Sequence, residues 1–413
     1  MRKFINDVRQ TVRDPSSQHP INQLSNRLHP KSGSGLAAES AQRAFSYFYS
    51  SQNGQFQARV KSESTLGAND HFGYVVWPVV IMVQCVAECL SSHEVKKATT
   101  ALQAYWNPEK HGFCAWKMFP GNNDIYYDDN AHAAQSLVTA FEATGDKKHM
   151  EQAKQILFDL IMPSAQKDGG VPWHTNNQNF RNACSTGPAA VAALRICAIE
   201  HNPQLYAFGE RALQFLVEKL RDPEDGLIWD SLGYGENGSV NVNKMKWTYN
   251  TGFAIHGFAL LHGLSKNPDH LKTAVDFAEA AMNREGPLVD RSIPNLNDRM
   301  YRDGSQFLHH LIDGYAALSR YALRERLVDE IHRVAAFGRE FMLDASDGLF
   351  YRGTCPYTIS DDTRQRFNSK FGTDKGLEKN GQERDEQGNL CKTMIGSAGW
   401  VRILHLAQEV YSS

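Results

Sequence analysis

Two adjacent aspartates, Asp128 and Asp129, give this sequence its clearest capacity for acid–base chemistry. They stand in the stretch YYDDNAH, behind Tyr126 and Tyr127 and directly ahead of an apolar helical run. Aspartate is favoured at the start of a helix, so the pair could serve only as a helix cap. Two carboxyl groups can also hydrolyse a glycosidic bond, one as a protonated general acid and the other as an ionised nucleophile or base.

The adjacency of the pair suits that second role. Neighbouring Cα atoms lie about 3.8 Å apart, so the two side chains could flank a single glycosidic bond. Their mutual repulsion would separate their pKa values and leave one protonated near neutrality while the other stays charged. The surrounding residues show no metal-ligand spacing. We therefore predict a site with no metal and no cofactor.

An internal repeat predicts the elements that position this pair. A turn glycine followed by apolar or aromatic residues recurs along the chain at intervals of 58, 58, 56, 60 and 62 residues. Its six copies are Gly54, Gly112, Gly170, Gly226, Gly286 and Gly348. Between the turns lie pairs of segments with helical periodicity, the first apolar on all sides and the second more highly charged. Such pairs indicate buried inner helices alternating with exposed outer helices.

Six such pairs predict an all-α protein, an (α/α)6 toroid or six-hairpin barrel with short β segments in the loops. An open helical solenoid is the alternative. The set begins with an outer helix at Leu36 and ends with an inner one near Tyr411, as ring closure requires. We predict an N-terminal arm at residues 1–35 and a single (α/α)6 catalytic domain at residues 36–413. A long polar loop at 351–394 is either a lid or a surface insertion.

The starts of the predicted inner helices are rich in aromatic and polar side chains, and in a toroid they converge on one depression. Aromatic rings stack on the C–H faces of sugars, and short polar side chains bind sugar hydroxyl groups. Four tryptophans precede or begin these helices, and they either line the rim or fill the apolar core: Trp77, Trp173, Trp247 and Trp400. The pattern predicts an oligosaccharide or polysaccharide substrate.

The composition of the chain limits which other partners it is expected to bind. The chain has 413 residues, a formal net charge of −2 and no long basic run, which argues against nucleic acid. The most apolar stretch, residues 75–90, is interrupted by Pro78 and Glu88 and is too short for a membrane span. No apolar signal-peptide core follows the N-terminus, so we expect a cytoplasmic protein. The seven cysteines lack CxxC spacing and are interpreted as reduced thiols; the oligomeric state is left open.

Three stretches carry a resemblance to a known family: YYDDNAH, then GGVPWHTNN with RNACSTG, and TYNTGFAIHGFALLHGLSKNPDHLKTA. Over residues 36–411 the chain resembles glycoside hydrolase family 76, the α-1,6-mannanases. The resemblance implies a retaining, endo-acting hydrolase of α-1,6 linkages in mannan or manno-oligosaccharides, with Asp128 as nucleophile and Asp129 as general acid/base. The candidate substrate-binding residues are Tyr127, Trp173, Asn182, Trp229, Tyr249 and Asn250. The family often has Phe-Lys-Gly where this chain reads DGSQFLHH.

Three other functions fit parts of the sequence. An N-acyl sugar 2-epimerase or related sugar isomerase would use histidines, for which the candidates are His71, His132, His174, His256, His309 and His310. An unsaturated uronyl hydrolase would need basic groups at the rim, for which Arg181, Lys244, Lys246 and Arg302 are available. A non-catalytic carbohydrate-binding protein would use the aspartate pair as caps only. The acidic turn at 222–226 is interpreted as a repeat turn that needs no ion.

Overall fold

A computed structural model describes residues 35–58, 74–235, 238–385 and 387–412. Nearly all of the predicted N-terminal arm lies outside these ranges, as does His71. None of the helices in the described ranges is long and apolar enough to cross a membrane. All seven cysteines lie within the described ranges, and all are free thiols, as predicted.

Outer and inner helices alternate along the chain. In chain order the first six are α1 (Leu36–Phe48, outer), α2 (Val76–Cys89, inner), α3 (Ser92–Leu102, outer), α4 (Tyr127–Thr144, inner), α5 (Lys147–Gln155, outer) and α6 (Ala183–Ile199, inner). The next five are α7 (Pro203–Phe215, outer), α8 (Thr248–Ser265, inner), α9 (Pro268–Ala281, outer), α10 (Ser305–Leu318, inner) and α11 (Arg324–Phe337, outer). A short surface helix, α12 (Asp361–Phe371), precedes the last inner helix, α13 (Met394–Ser412).

The inner helices form a closed ring. Each packs against the next inner helix in the chain, from α2 through α4, α6, α8 and α10 to α13, and α13 packs back against α2. The outer helix α1 covers the seam by contacting both α13 and α2. The predicted (α/α)6 toroid is therefore confirmed, and the open solenoid is wrong. The inner helices are buried on nearly all sides, which explains their high apolar content.

Short strands occupy the loops between outer and inner helices, as the sequence predicts. Three hairpins are each formed by two strands of two residues. They are β1 (Tyr49–Ser50) with β2 (Gln55–Phe56), β3 (Trp106–Asn107) with β4 (Gly112–Phe113), and β8 (Leu343–Asp344) with β9 (Leu349–Phe350). The strands β5 (Phe180–Asn182), β6 (Ser231–Tyr234) and β7 (Val240–Asn243) form one antiparallel sheet in the order β5-β6-β7. The repeat glycines Gly54, Gly226 and Gly348 have φ of 67°, 77° and 75°, which explains the choice of glycine at these turns.

The first backbone N–H of five inner helices donates to the segment that leads into the next inner helix. Four of these bonds go to backbone carbonyls at 2.8–2.9 Å: Val76 to Ala115, Tyr127 to Trp173, Ala183 to Asp230, and Ser305 to Arg352. The fifth, from Thr248, goes to the Asp303 carboxylate at 2.6 Å. The residue preceding each of these five described helices provides no side-chain cap. The starts of these five inner helices are thus satisfied by the repeat that follows each of them.

A second bond locks four of the turns to an inner helix. The fourth residue of the helix accepts a hydrogen bond from a backbone N–H just after the turn glycine. The pairs are Phe113 to Asn130 (2.7 Å), Val171 to Thr186 (2.9 Å), Ile228 to Thr251 (3.2 Å) and Phe350 to Ser397 (3.4 Å). The recurrence explains why a turn glycine and a polar fourth residue accompany each other in the sequence.

Two of the acidic turns hold a lysine where the sequence could suggest a metal ion. Lys246 lies 2.5 Å from Asp222 and 2.6 Å from Asp225. In the last repeat Lys392 lies 2.5 Å from Asp344 and 2.8 Å from Asp347. In both cases the lysine precedes an inner helix and clamps it to the preceding outer turn. The structure agrees with the interpretation of the turn at 222–226 as one that needs no ion.

The long connection at 351–394 contains α12, a helix that the sequence analysis did not predict. Phe367 and Phe371 of α12 pack against Phe341, which follows the outer helix α11, with ring centroids 5.9 and 5.8 Å apart. The hydroxyl of Ser360 caps the helix by accepting from the N–H of Thr363 at 3.1 Å. Aromatic packing on an outer helix therefore holds this part of the connection against the domain surface.

A charged network lies inside the ring, where α13 meets α2 and α10. The Arg402 side chain is only 1% exposed. It binds Glu88 with bonds of 2.8–3.1 Å and Asp313 at 3.1 Å. Burial would raise the pKa of Asp313, but the positive charges around it, including Arg402, hold it below its ordinary value. Arg402 therefore joins the last inner helix to the first through an ion pair that is largely removed from water.

Arg402→Ala is expected to lower the free energy of unfolding by about 3–5 kcal/mol, because it leaves two buried carboxylates without a counter-charge. Arg326→Ala is the matched control, since Arg326 makes a similar two-bond pair with Glu279 on the surface. Loss of this surface pair should lower the free energy of unfolding by less than about 1 kcal/mol. Urea denaturation of both variants measures the difference. Equal effects would contradict a central role for the buried pair.

Candidate active site

The aspartate pair lies at the mouth of the ring, in the first turn of an inner helix. Asp128 and Asp129 are the second and third residues of α4, and both side chains are half-buried. The first residue, Tyr127, is fixed by its backbone bond to Trp173. Neither carboxylate is needed to satisfy the first N–H of α4. The pair is therefore free to serve another purpose.

Both oxygens of Asp128 accept hydrogen bonds. Oδ1 accepts from the backbone N–H of Asp129 at 2.9 Å, and Oδ2 accepts from the indole N–H of Trp173 at 2.8 Å. The Trp173 side chain is 47% exposed, so one part of its ring borders solvent while its nitrogen holds Asp128. Tyr126 packs against that ring with centroids 5.0 Å apart. These contacts fix the orientation of Asp128 next to an open aromatic surface.

A third carboxylate, Asp124, lies close to the pair and was missed by the sequence analysis. Its Oδ1 lies 2.9 Å from Nε2 of His174, and its Oδ2 accepts from the indole N–H of Trp116 at 2.9 Å. The His174 ring also packs against Tyr126, with centroids 4.5 Å apart. The sequence signal was the acidic residue four positions ahead of Asp128 in the same motif. Asp124 adds negative charge beside the pair and raises the pKa of Asp129.

The surroundings separate the two aspartates electrostatically. Burial raises the pKa of Asp128 to about 6, and the bond from Trp173 opposes that rise. Burial raises the pKa of Asp129 well above its ordinary range, and the negative charges of Asp128 and Asp124 raise it further. The hydrogen bonds that favour the ionised form are made to Asp128, whereas the charges around Asp129 favour its protonated form. Such an asymmetry suits a pair in which one carboxyl group acts as an acid and its neighbour as a nucleophile or base.

Equivalent positions of three successive inner helices meet here. Asp128, Cys184 and Tyr249 are the second residues of α4, α6 and α8. Burial and then the charge of Asp128 raise the pKa of the Cys184 thiol. Burial, together with Cys184 and Asp230, does the same for the Tyr249 hydroxyl. The predicted site residue Tyr249 therefore lies in the same cluster as the aspartate pair, and Cys184 is a member that the sequence analysis missed.

The predicted residues Asn182 and Asn250 lie on the same side of the ring. Asn182 immediately precedes α6, and its side-chain Oδ1 is buried with no hydrogen-bond partner among the described residues. Asn250, the third residue of α8, is fully buried. Burial raises the pKa of the nearby Asp230, and side chains that include Ser231 and Asn250 oppose the rise. Asp230 is thus a further carboxyl group at the mouth that sequence reasoning missed.

The tryptophans divide between rim and core. Trp77 and Trp247 pack against Phe307, with centroids 5.8 and 5.3 Å apart, and Phe307 stacks on Tyr249 at 4.5 Å. Trp400 is fully buried and donates its indole N–H to the backbone of Tyr351, so it belongs to the core. An aromatic wall formed by Trp77, Trp247, Tyr249 and Phe307 therefore lines the mouth on the side of α8 and α10.

Two predicted substrate-binding residues lie elsewhere. The buried Tyr127 side chain turns toward a cleft on the outside of the ring, which is also lined by Thr175 and Gln178, and its hydroxyl accepts from Gln178 at 3.3 Å. Trp229 donates its indole N–H to Asp222 at 2.9 Å, and Lys244 lies over its ring at 5.1 Å. The contacts of Tyr127 and Trp229 are thus with the repeat framework rather than with the aspartate pair.

The histidines considered for a sugar isomerase form a buried core cluster. His132 stacks on His310 with centroids 4.8 Å apart, and His309 lies 3.7 Å from His310. Burial lowers the pKa of His132 to about 3 and that of His256 to about 4. Neutral, buried imidazoles at these positions are core residues. His174 alone of the described candidates reaches the mouth, through Asp124.

A closed (α/α)6 toroid whose mouth holds two adjacent carboxyl groups beside exposed aromatic rings is the arrangement of a glycoside hydrolase. The sequence profile of glycosyl hydrolase family 76 matches residues 35–343. The chain belongs to this family.

Known proteins similar to this chain include one fungal relative and several bacterial structures. The Meiotically up-regulated gene 191 protein of Schizosaccharomyces pombe is 30% identical over 379 residues, which cover 83% of this chain and 84% of that protein. The α-1,6-mannanase of Salegentibacter sp. HEL1_6 matches 91% of this chain and 98% of its own, with a TM-score of 0.67 and 17% identity. A family 76 mannosidase from Bacteroides thetaiotaomicron matches 92% of this chain and 100% of its own, with a TM-score of 0.68 and 16% identity. The two structures establish the shared fold.

Asp129→Asn is expected to stabilise the protein at pH 7 and not at pH 3. A carboxyl whose pKa is higher in the folded than in the unfolded protein destabilises the fold as the pH rises above its unfolded pKa. Burial and the charges of Asp128 and Asp124 raise the pKa of Asp129, so we expect a gain in the free energy of unfolding at pH 7 that is smaller at pH 5 and absent at pH 3. Urea denaturation at pH 3, 5 and 7 measures it.

Asp362→Asn is the control, since Asp362 lies in the first turn of α12 with its side chain 82% exposed. This variant should change stability by less than about 0.5 kcal/mol at every pH. A gain for Asp129→Asn that stays constant from pH 3 to pH 7 would contradict an electrostatic origin.

Proposed function

We propose that the protein is a retaining, endo-acting hydrolase of α-1,6-mannosidic linkages in mannan or manno-oligosaccharides. The observation that carries this proposal is the pair of adjacent carboxyl groups at the mouth, in which Asp128 is oriented by the N–H groups of Asp129 and Trp173 beside an exposed aromatic ring. The linkage is inferred from relatives. An inactive variant of the Salegentibacter enzyme, in which two adjacent aspartates are changed to asparagine, forms a complex with α-1,6-mannotriose.

In the first step, a carboxylate oxygen of Asp128 attacks the anomeric carbon of the bound mannosyl unit. The bond from that carbon to the glycosidic oxygen breaks, and the departing oxygen takes the proton of Asp129. In the second step, the ionised Asp129 removes a proton from water. The water oxygen attacks the anomeric carbon, the bond to Asp128 breaks, and the product leaves with its original anomeric configuration.

Hydrogen bonding around Asp128 suits the role of nucleophile. The donors from Asp129 and Trp173 favour its ionised form and fix the direction of its oxygens. The exposed face of Trp173 offers a surface for the sugar ring next to the attacking oxygen. The polar groups of Asn182 and Asp230 on the neighbouring helix start can bind sugar hydroxyls.

The alternatives fit less well. A sugar isomerase needs histidines that titrate near neutrality, and His132, His256, His309 and His310 are buried with pKa values well below that range. A uronyl hydrolase needs free basic groups at the mouth. Of the four candidates, Arg181 is paired with Asp168, Lys246 is held between two aspartates, and Lys244 lies over the ring of Trp229. A binding protein would not need the separated pKa values of the pair.

Replacement of either aspartate is expected to abolish hydrolysis, whereas replacement of a similar pair elsewhere should not. Asp128→Asn and Asp129→Asn should each lower kcat at least about 10³-fold on α-1,6-manno-oligosaccharides, because each removes a group that acts in the transition state. The products are followed by proton NMR, and the wild-type protein should release the α-anomer first.

Asp361 and Asp362 supply the matched control, because they are also adjacent aspartates in the first turn of a helix and pair with Arg364 and Arg366 on the surface. Their double replacement by asparagine should leave kcat within twofold, about 0.4 kcal/mol in the barrier. Full activity in the Asp128→Asn/Asp129→Asn double variant would return the pair to the role of a helix cap.

Trp173→Phe is expected to move the acidic limb of the pH profile of kcat/KM to higher pH by about one unit. Loss of a hydrogen bond to a charged group is worth about 1.5–3 kcal/mol, so the pKa of Asp128 should rise and the nucleophile should ionise at higher pH. Trp106→Phe, at a tryptophan in the β3–β4 hairpin, should leave the profile in place. An unshifted profile in Trp173→Phe would contradict the role of its N–H.

A further inference from the structure

The three-stranded sheet β5-β6-β7 presents an aromatic ring to solvent next to the mouth. Phe180, the first residue of β5, has a side chain that is 45% exposed. Two residues later the same strand reaches Asn182, which immediately precedes α6 and lies at the candidate active site. Side chains two residues apart on a strand share a face and are separated by about 7 Å. Phe180 therefore lies on the same face of the strand as Asn182, farther from the mouth.

The position of this ring is fixed by a glycine beneath it. Phe180 pairs with Gly233 of β6, and the ring occupies the space that a side chain at residue 233 would take. A Cβ atom added to Gly233 would lie 2.8 Å from Cε1 of Phe180. The glycine has an ordinary negative φ, so it is not required by the backbone conformation. Its effect is to seat one side of the ring on the sheet while the rest stays open to solvent.

The strand is anchored from its opposite face. Arg181 lies between Phe180 and Asn182 and is 9% exposed. Its guanidinium group donates to the carbonyl of Gln178 at 2.7 Å, lies 3.5 Å from Asp168, and packs over the ring of Tyr234 at 5.1 Å. An exposed ring on a strand held in this way loses little freedom when a ligand packs against it.

Polar groups on the exposed face lie beside the ring. Asn241 of β7 is in register with Gly233, and Asn243 is in register with Ser231. Both asparagines are exposed. Adjacent strands are about 4.8 Å apart, so the Phe180 ring over Gly233 has Asn241 as its next neighbour across the sheet. An aromatic ring flanked by side-chain amides is chemistry suited to a sugar ring and its hydroxyl groups.

We propose that this sheet face is a distal subsite that binds a mannosyl unit of a long chain whose other end occupies the mouth. Phe180 stacks on the sugar ring, and Asn241 binds its hydroxyl groups. The inference rests on the proposed function. The subsite makes the protein selective for chains long enough to reach from the aspartate pair to β7. The occupant is an oligosaccharide because the sheet face continues directly from Asn182 at the mouth.

Calorimetric titration of the full-length Asp128→Asn/Asp129→Asn variant with α-1,6-linked mannobiose, -triose, -tetraose and -pentaose tests the proposal. Affinity should increase with chain length, and Phe180→Ala in the same background should weaken binding of the longest chain about tenfold, with less than a twofold effect on mannobiose. Gly233→Ala should have the same length-dependent effect because its Cβ displaces the ring. Phe180→Trp should restore the affinity.

Tyr321→Ala is the matched control, since Tyr321 is 42% exposed and follows α10 at the opposite end of the inner helices. It should not change the length dependence. The same length dependence in Phe180→Ala as in the parent would overturn the distal subsite while leaving the proposed function intact. Absence of binding for every chain, in parent and variants alike, would overturn the proposed function and the subsite that rests on it.

Discussion

The structure depends on how the starts of its inner helices are satisfied where they converge. The first turn of every helix has N–H groups without intrahelical partners, and a ring of inner helices brings these groups to one small mouth. Side-chain caps would fill that mouth with serines, threonines and asparagines. Instead, for five of the inner helices, the following repeat supplies a backbone carbonyl or, for α8, the carboxylate of Asp303 to the helix start. The second and third positions of the inner helices are thereby left available for chemistry.

The same geometry accounts for the electrostatics of the site. Asp128 and Asp129 lie at a helix N-terminus, which favours negative charge, but they are also partly removed from water and close to each other and to Asp124. The balance differs for the two side chains. Asp128 receives the indole N–H of Trp173 and the N–H of Asp129, while Asp129 faces two other carboxylates. Adjacent residues of one type are therefore made electrostatically different by their contacts alone.

The fold could be predicted well from the sequence because the repeat consists of residues with strict local conformational requirements. A turn glycine and an apolar inner helix recur at a near-constant interval, and ring closure follows from their order. The positions of Asp128 and Asp129, Asn182 and Tyr249 at the mouth follow from the same repeat. Helix α12 was missed because its polar composition hides three aromatic contacts that only Phe337 of α11 and Phe341 just after it provide.

Side-chain direction was harder to predict than position. Tyr127 is the first residue of α4 and Trp229 follows the repeat glycine Gly226, yet their side chains bond to Gln178 and Asp222 in the framework. Conversely, Asp124 and Cys184 belong to the mouth although neither stood out in the sequence. Which way a side chain points depends on partners from other repeats, and a sequence motif contains only its own repeat.

Closure of the ring through Arg402 and Glu88 also has a consequence for how the chain acquires its structure during synthesis. The two residues are separated by 314 positions, and α2 can meet its final neighbour only when α13 has left the ribosome. Until then the apolar flank of α2 has no partner from the C-terminal end of the chain. Contacts of such high sequence separation slow folding, and nascent chains with unburied apolar surface are prone to aggregate. The docking of the last helix, which has nineteen residues, is therefore the step that converts five stacked hairpins into a finished domain.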